Sequence, residues 1–193
     1  MKTLIERLDL IEPKILDKNF RTGRGTANEL NFWIFDYDPE DEMAVRSHIE
    51  FLVRNINNRH EDVQIARFDL YKLMLDVLRD KNYLDKVKQM ELAKGSNAIV
   101  NPIQRTLRLT EDGDLIIKKI VEGLTPKRDI IFLTGVGKAW PIIRSHTILN
   151  NLHSRVENNP LIMFFPGNYT SELRLFGEIT DDNYYRAFKL IER

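Results

Sequence analysis

Cysteine is absent from this chain, which excludes disulfides, thiolate catalysis and cysteine-ligated zinc and agrees with a reducing interior. Net charge is absent too: 29 basic side chains balance 29 acidic ones, so no overall field draws the protein to nucleic acid or an anionic membrane. No apolar run approaches the roughly 18 residues that span a bilayer. The opening Met-Lys-Thr-Leu-Ile-Glu-Arg-Leu carries charges too closely spaced for a secretory signal or a membrane anchor. Internal repeats and low-complexity segments are also missing. What remains is a cytoplasmic chain of 193 residues, read as one domain over residues 1–193 and long enough to bury a core.

Two periodicities alternate along it. Leu4, Ile5, Leu8, Ile11 and Ile15 recur at helical spacing, with Pro13 expected to divide the segment. The stretch 21 to 26 reads as a glycine loop, and Asn31 to Phe35 as a short strand. Asp38-Pro39 with Asp41 starts a helix, because proline suits the first helical position and carboxylates suit the positive end. That helix lines up Val45, Ile49, Leu52 and Ile56. Val63 to Phe68 predicts a second strand, followed by a helix bearing Leu70, Leu73, Met74, Val77 and Leu78. Helical spacing persists through 82–123, too long for one crossover, so a helical insertion of about three helices is expected between the second and third strands.

Ile130 to Thr134 forms the third strand, and a helix is expected from about Ala139 to Ser154. Leu161 to Phe165 is the fourth, ending at Pro166-Gly167. Leu173 to Phe176 and Tyr184 to Leu190 read as β segments joined by a turn at Thr180-Asp181-Asp182-Asn183. Strands alternating with helices, and fully apolar in the centre, predict an α/β fold: three layers, with a mostly parallel sheet covered on both faces and a C-terminal β segment.

The candidate chemistry gathers at the strand ends, where open α/β sheets place their sites. Gly135, Gly137 and Lys138 form a strand-turn-helix junction that offers an anion backbone N–H groups and a positive charge. As a nucleotide loop the junction is incomplete. Phe132 stands where a Walker loop has its first glycine, and Ala139 replaces the hydroxyl that ligates magnesium. The alternative is a tight reversal with Trp140 packed on the sheet and Pro141 in the first helical turn. Asp36, Asp38 and Asp69 are weak candidates for a hard cation, against which Asp38 and Asp69 read as helix caps and Asp36 as a turn residue. His146 and His153 share a helical stripe two turns apart, too far for joint ligation and more in keeping with hydrogen-bonded boundary residues. His48 and His60 have no motif around them, and no complete catalytic constellation emerges.

The segment Phe-Leu-Thr-Gly-Val-Gly-Lys-Ala-Trp-Pro-Ile-Ile-Arg-Ser-His at 132–146 resembles the BrxB family of BREX bacteriophage-defence systems. Pro160 to Tyr169, the Leu-Arg-Leu-Phe-Gly and Asp-Asn-Tyr-Tyr-Arg-Ala-Phe runs within 173–190, and Phe-Asp-Tyr-Asp-Pro at 35–39 extend the resemblance over essentially the whole chain. The resemblance implies a small cytoplasmic accessory protein, encoded beside a DNA methyltransferase, a PglZ-type protein of the alkaline-phosphatase superfamily and a large ATPase. It implies a role in restricting phage without an established catalytic activity, and a physical partnership with the PglZ-type protein. With no complete catalytic constellation beside it, the chain reads as a non-enzymatic adaptor without a cofactor that binds other BREX proteins, the PglZ-type protein first and the methyltransferase second. DNA is a less favoured partner. Lys18, Arg21 and Arg24 in the first loop, and Arg174 and Arg186 among Tyr184, Tyr185 and Phe188, interleave cations with aromatics as a strand-binding surface would. With Arg144, the tail residues suit a protein interface equally well, since arginine and aromatics concentrate at interface hot spots.

Overall fold

A computed structural model describes residues 2–22, 31–109, 113–125, 129–156, 159–170, 172–183 and 186–193. In chain order its elements are α1 (Leu4–Asp9), α2 (Ile11–Leu16), α3 (Lys18–Thr22), β1 (Phe32–Tyr37), α4 (Glu42–Arg59), β2 (Gln64–Asp69) and α5 (Leu70–Asp80). There follow α6 (Leu84–Lys94), α7 (Val100–Leu107), α8 (Leu115–Glu122), β3 (Asp129–Thr134), α9 (Val136–Ala139), α10 (Ser145–His153), β4 (Leu161–Tyr169), β5 (Glu172–Leu175), β6 (Ile179–Asn183) and β7 (Phe188–Lys189). Five strands lie in the order β2-β3-β4-β1-β7, and each neighbouring pair among them is parallel. The far end of β4 turns into an antiparallel meander with β5 and β6.

Strict alternation along the central strands sorts the core into two layers, because successive side chains leave opposite faces of a sheet. Trp33, Phe35, Ile130, Phe132, Ile162 and Phe164 point to one face. The α4 stripe Val45, Ile49, Leu52 and Ile56 covers them, joined by Leu8, Ile11, Ile15 and Phe20 of α1 to α3. Phe32, Ile34, Ile131, Leu133, Leu161, Met163 and Phe165 point to the other, under α5 to α10. The first layer is strongly aromatic, with the rings of Phe132 and Phe164 5.0 Å apart and those of Phe35 and Phe164 5.8 Å apart. Truncating any one of these buried rings is expected to cost about 3–5 kcal/mol.

Between β2 and β3, the crossover helix α5 is followed by three more, α6 to α8. Tyr83, Leu84 and Met90 pack at the margin of the second layer, whereas Ile103, Leu107, Ile116 and Ile120 are buried within it. The added helices therefore thicken one face of the same core.

Five details differ from the sequence reading. Of the segment Tyr184 to Leu190, only Phe188–Lys189 is strand among the described residues, and it pairs in parallel with β1 and not with β5. Arg21 and Thr22 belong to α3 and not to a loop. The helix expected from Ala139 is divided: α9 stops at Ala139, Trp140 is extended (ψ 142°), and α10 begins at Ser145. Trp140 precedes Pro141, whose ring disfavours the helical conformation in the residue before it. β4 runs on through Pro166 and Gly167 to Tyr169, pairing Tyr37 opposite Pro166 and Gly167 opposite Leu175. Finally, Thr180-Asp181-Asp182-Asn183 lies in strand β6. The reversal falls instead at Phe176-Gly177, whose φ values of 55° and 77° are both left-handed. Glycine supplies that conformation readily, and β6 pairs with β5 among the described residues.

Candidate functional site

All five parallel strands bring their carboxyl ends to one edge, and two acidic groups dominate it. Asp36, near the end of β1, is 1% exposed. Its Oδ1 accepts from Arg7 Nη2 at 3.0 Å, while Oδ2 accepts from the Tyr169 N–H at 3.1 Å and from Arg193 Nε at 3.3 Å. Lys189 Nζ stands 3.7 Å away. Arg7 is itself buried: it donates to the Ile191 carbonyl at 3.1 Å and lays its guanidinium over the Phe35 ring. Burial outweighs the neighbouring Asp36 charge and pulls the Arg7 pKa down, yet a guanidinium stays charged in any protein. Arg193 completes the clamp, reaching Asp38 Oδ1 and the Gly167 carbonyl, both at 2.8 Å. Asp36 and Asp38 thus sit among cations supplied by α1, β7 and the last residue.

The second group is built around the Gly135 turn. Asp69 ends β2 and caps α5, accepting from the Tyr71 and Lys72 N–H groups at 3.1 Å each. Its other oxygen receives Lys138 Nζ at 2.6 Å. Burial raises the Asp69 pKa, but the Lys138 hydrogen bond and the Lys72 N–H outweigh it and hold the carboxyl below its usual value. Gly135 makes the approach feasible: its φ is 73°, and a Cβ there would run into the Asp69 carboxylate. The crevice beside them is closed by Tyr37, Glu42, Arg46, Arg67 and Thr134 and keeps a volume of about 10 Å³, room for about one water molecule. Tyr37 donates to Glu42 at 2.5 Å, and Glu42 pairs with Arg46 at 2.9 Å; burial pushes the Tyr37 pKa well up. Among the described residues no three histidine, aspartate or glutamate side chains gather as a metal-holding group.

Around this turn the surface is aromatic. Lys138 Nζ lies 5.7 Å from the Tyr71 ring centre. A Cβ on Gly137 would come within 2.9 Å of the Phe176 ring, so that ring rests on the turn. Trp140 follows α9 directly, and Tyr71, Trp140 and Phe176 are 36%, 38% and 39% exposed. The glycines that looked like a phosphate loop thus bring Asp69 and Phe176 against the backbone.

The other candidates are dispersed. Arg174 is exposed on β5 and pairs with Glu172 at 3.3 Å, and Arg186 is exposed ahead of β7. Tyr184, Tyr185 and Arg24 lie outside the described residues. Arg21 pairs with Asp62 at 2.9 Å. Arg144 sits at the N-cap position of α10. His146 lies in the first turn of the same helix with Nε2 3.0 Å from Thr147 Oγ1, and His153 ends it. Sequence reasoning missed Arg7, Lys189 and Arg193, since nothing local links residues so far apart. It also placed Trp140 against the sheet; the extended backbone before Pro141 leaves it partly outside.

Among the described residues no helix is long and apolar enough to cross a membrane. No solved structure matches the chain. The family model described as BREX protein BrxB matches residues 66–190, which span β2 to β7. A curated "BREX protein BrxB" from Bacillus cereus is 54% identical over 194 residues, covering 100% of both chains. Another of the same description from Escherichia coli is 32% identical over 186 residues, covering 96% of this chain and 90% of that one. The matched span takes in the Gly135 turn, its aromatic surround and the α10 entry, and on this agreement over the full length the chain belongs to the BrxB family of BREX proteins.

Proposed function

We propose that this protein is a non-enzymatic, cytoplasmic accessory subunit of a BREX phage-defence system that acts by docking onto another component, the PglZ-type protein foremost. The observation that carries the reading is the exposed trio Tyr71, Trp140 and Phe176 set around a turn whose own charges, Asp69 and Lys138, are already paired. Large aromatics fixed on a rigid base supply contact area at little entropic cost, and tryptophan, tyrosine and arginine dominate interface hot spots. Lys138, Arg174 and Glu172 would form a polar rim beside them. Family membership supports the system-level role, and the closed crevice at the strand ends favours binding over small-molecule chemistry there.

Co-purification with the remaining system proteins tests this. The PglZ-type protein should be retained by the wild type and released by Trp140→Ala with Phe176→Ala at unchanged folding. If the wild-type chain elutes alone, or the double variant still retains its partner, the docking role is lost.

A further inference from the structure

A second concave surface lies on the helical side, where α7 faces the entry to α10. It has a volume of about 470 Å³ and is lined by Asn101, Gln104, Arg105, Arg108, Arg144 and His146 together with Thr147, Leu109 and Ile142. Three arginines from two stretches of the chain line it. Arg105 lies in the last turn of α7. Arg108 follows as its C-cap, with a left-handed φ of 58° that swings the chain off the helix axis. Arg144 stands at the N-cap position of α10. All three are exposed and His146 is half-buried, while Leu109 and Ile142 form a buried apolar floor. Gln104 fixes one wall, donating through Nε2 to the Ile142 carbonyl at 3.0 Å and thereby tying α7 to the segment that carries Arg144.

We infer that this cavity, framed by Arg105, Arg108, Arg144 and His146, binds the phosphate groups of a small phosphate-bearing ligand. No acidic side chain is among the described residues lining it. A guanidinium presents five donors in a planar fork that matches phosphate oxygens two at a time. Arg108, Arg144 and His146 make other contacts within the chain, and the fork's five donors let a partner and a phosphate be held together. The volume lies in the range of small-molecule sites, about 300–1,000 Å³. Among the described residues His146 is the one aromatic ring in the lining, so recognition falls on the phosphates and not on a stacked base. The Gly135 turn offers less, since Lys138 already holds Asp69 beside a crevice of about 10 Å³. Arg144 and His146 close the 132–146 segment that also holds the turn, so one stretch of sequence contributes to both surfaces.

Calorimetric titration of the full chain with pyrophosphate, ATP and a single-stranded oligonucleotide tests the assignment. Pyrophosphate or ATP should bind, with affinity falling at least about tenfold in Arg108→Ala and in Arg144→Ala. Arg144→Lys should retain part of it, because an ammonium keeps the charge but loses the fork. Binding of the oligonucleotide alone, with affinity that falls steeply with salt and depends on the same arginines, would overturn the small-ligand assignment in favour of a nucleic-acid backbone. The inference is overturned if wild type binds none of the three. It is equally overturned if the arginine variants, shown folded by circular dichroism, bind like wild type, or if only Lys138→Ala abolishes binding. A glutamate-rich peptide that binds where every phosphate fails would also overturn it, in favour of carboxylate recognition.

Discussion

The sheet's carboxyl edge holds two carboxylates paired with cations, and they differ in what surrounds them. Asp36 is sealed from water and gathers Arg7, Lys189 and Arg193 from the two ends of the chain. Asp69 has one cation, Lys138, which is 36% exposed beneath a partly open aromatic surface. Opposite charges attract more strongly where water is excluded, but a charge stranded there costs correspondingly more. The Asp36 cluster is thus a structural clasp that joins α1, β1, β4 and the C-terminal residues, and its loss should be felt throughout the molecule. The Asp69–Lys138 pair instead sets the shape of a turn that displays side chains outward. Similar ion pairs serve burial in one place and presentation in the other.

The largest effect expected from breaking this contrast is at the clasp. Asp36→Ala leaves Arg7 buried without its carboxylate and should cost about 3–5 kcal/mol, measured by urea denaturation. A loss below about 1 kcal/mol would show that the two sites are energetically alike. Gly135→Ala comes next. It sets a side chain at positive φ and drives it into Asp69, for about 1–3 kcal/mol and a midpoint lowered by about 2–4 °C per kcal/mol in a chain of this size. Lys138→Ala should be milder, about 0.2–1 kcal/mol, because its pair is reached by solvent. A loss comparable to that of Asp36→Ala would erase the distinction.

The smallest effect is read in pH. Burial raises the Asp69 pKa, but the hydrogen bonds from Lys138 and the Lys72 N–H together with the charges of both lysines hold it below its unfolded value. Its contribution is present above the unfolded pKa of about 3.9 and disappears as pH falls through the lower folded value. Asp114, the buried cap of α8 beside Asn151, has its pKa raised by burial. Its contribution is complete below about 3.9 and disappears as pH rises through the higher folded value. In stability curves between pH about 2 and 6, Asp69→Asn should flatten the acid-side loss, and Asp114→Asn should remove the decline on the other side. Identical curves for the two variants would overturn the assignment of the opposed shifts.

The apolar strands Ile130 to Thr134 and Leu161 to Phe165, and the stripe Val45, Ile49, Leu52 and Ile56, were legible because hydrophobic period and length determine strand, helix and buried face without knowledge of neighbours. The BrxB resemblance was likewise carried by contiguous residues, 132–146 above all. The division of the helix after Ala139 was harder to see, although Trp140-Pro141 held the signal in the restriction proline places on its predecessor. The Phe176-Gly177 reversal was missed because Thr180 to Asn183 has the stronger turn composition, and strand pairing overrode that local preference.

The α/β class, the covered central sheet and the family could all be read from neighbouring residues, since each rests on patterns that adjacent positions carry. Folding in three dimensions was needed for Asp36 to meet Arg7 and Arg193, for Asp69 to neutralise Lys138, and for Arg144 to line one cavity with Arg105 and Arg108. Those encounters join residues from distant parts of the chain. Charges attract through space regardless of their order along the backbone, so local sequence leaves no trace of which partners will meet.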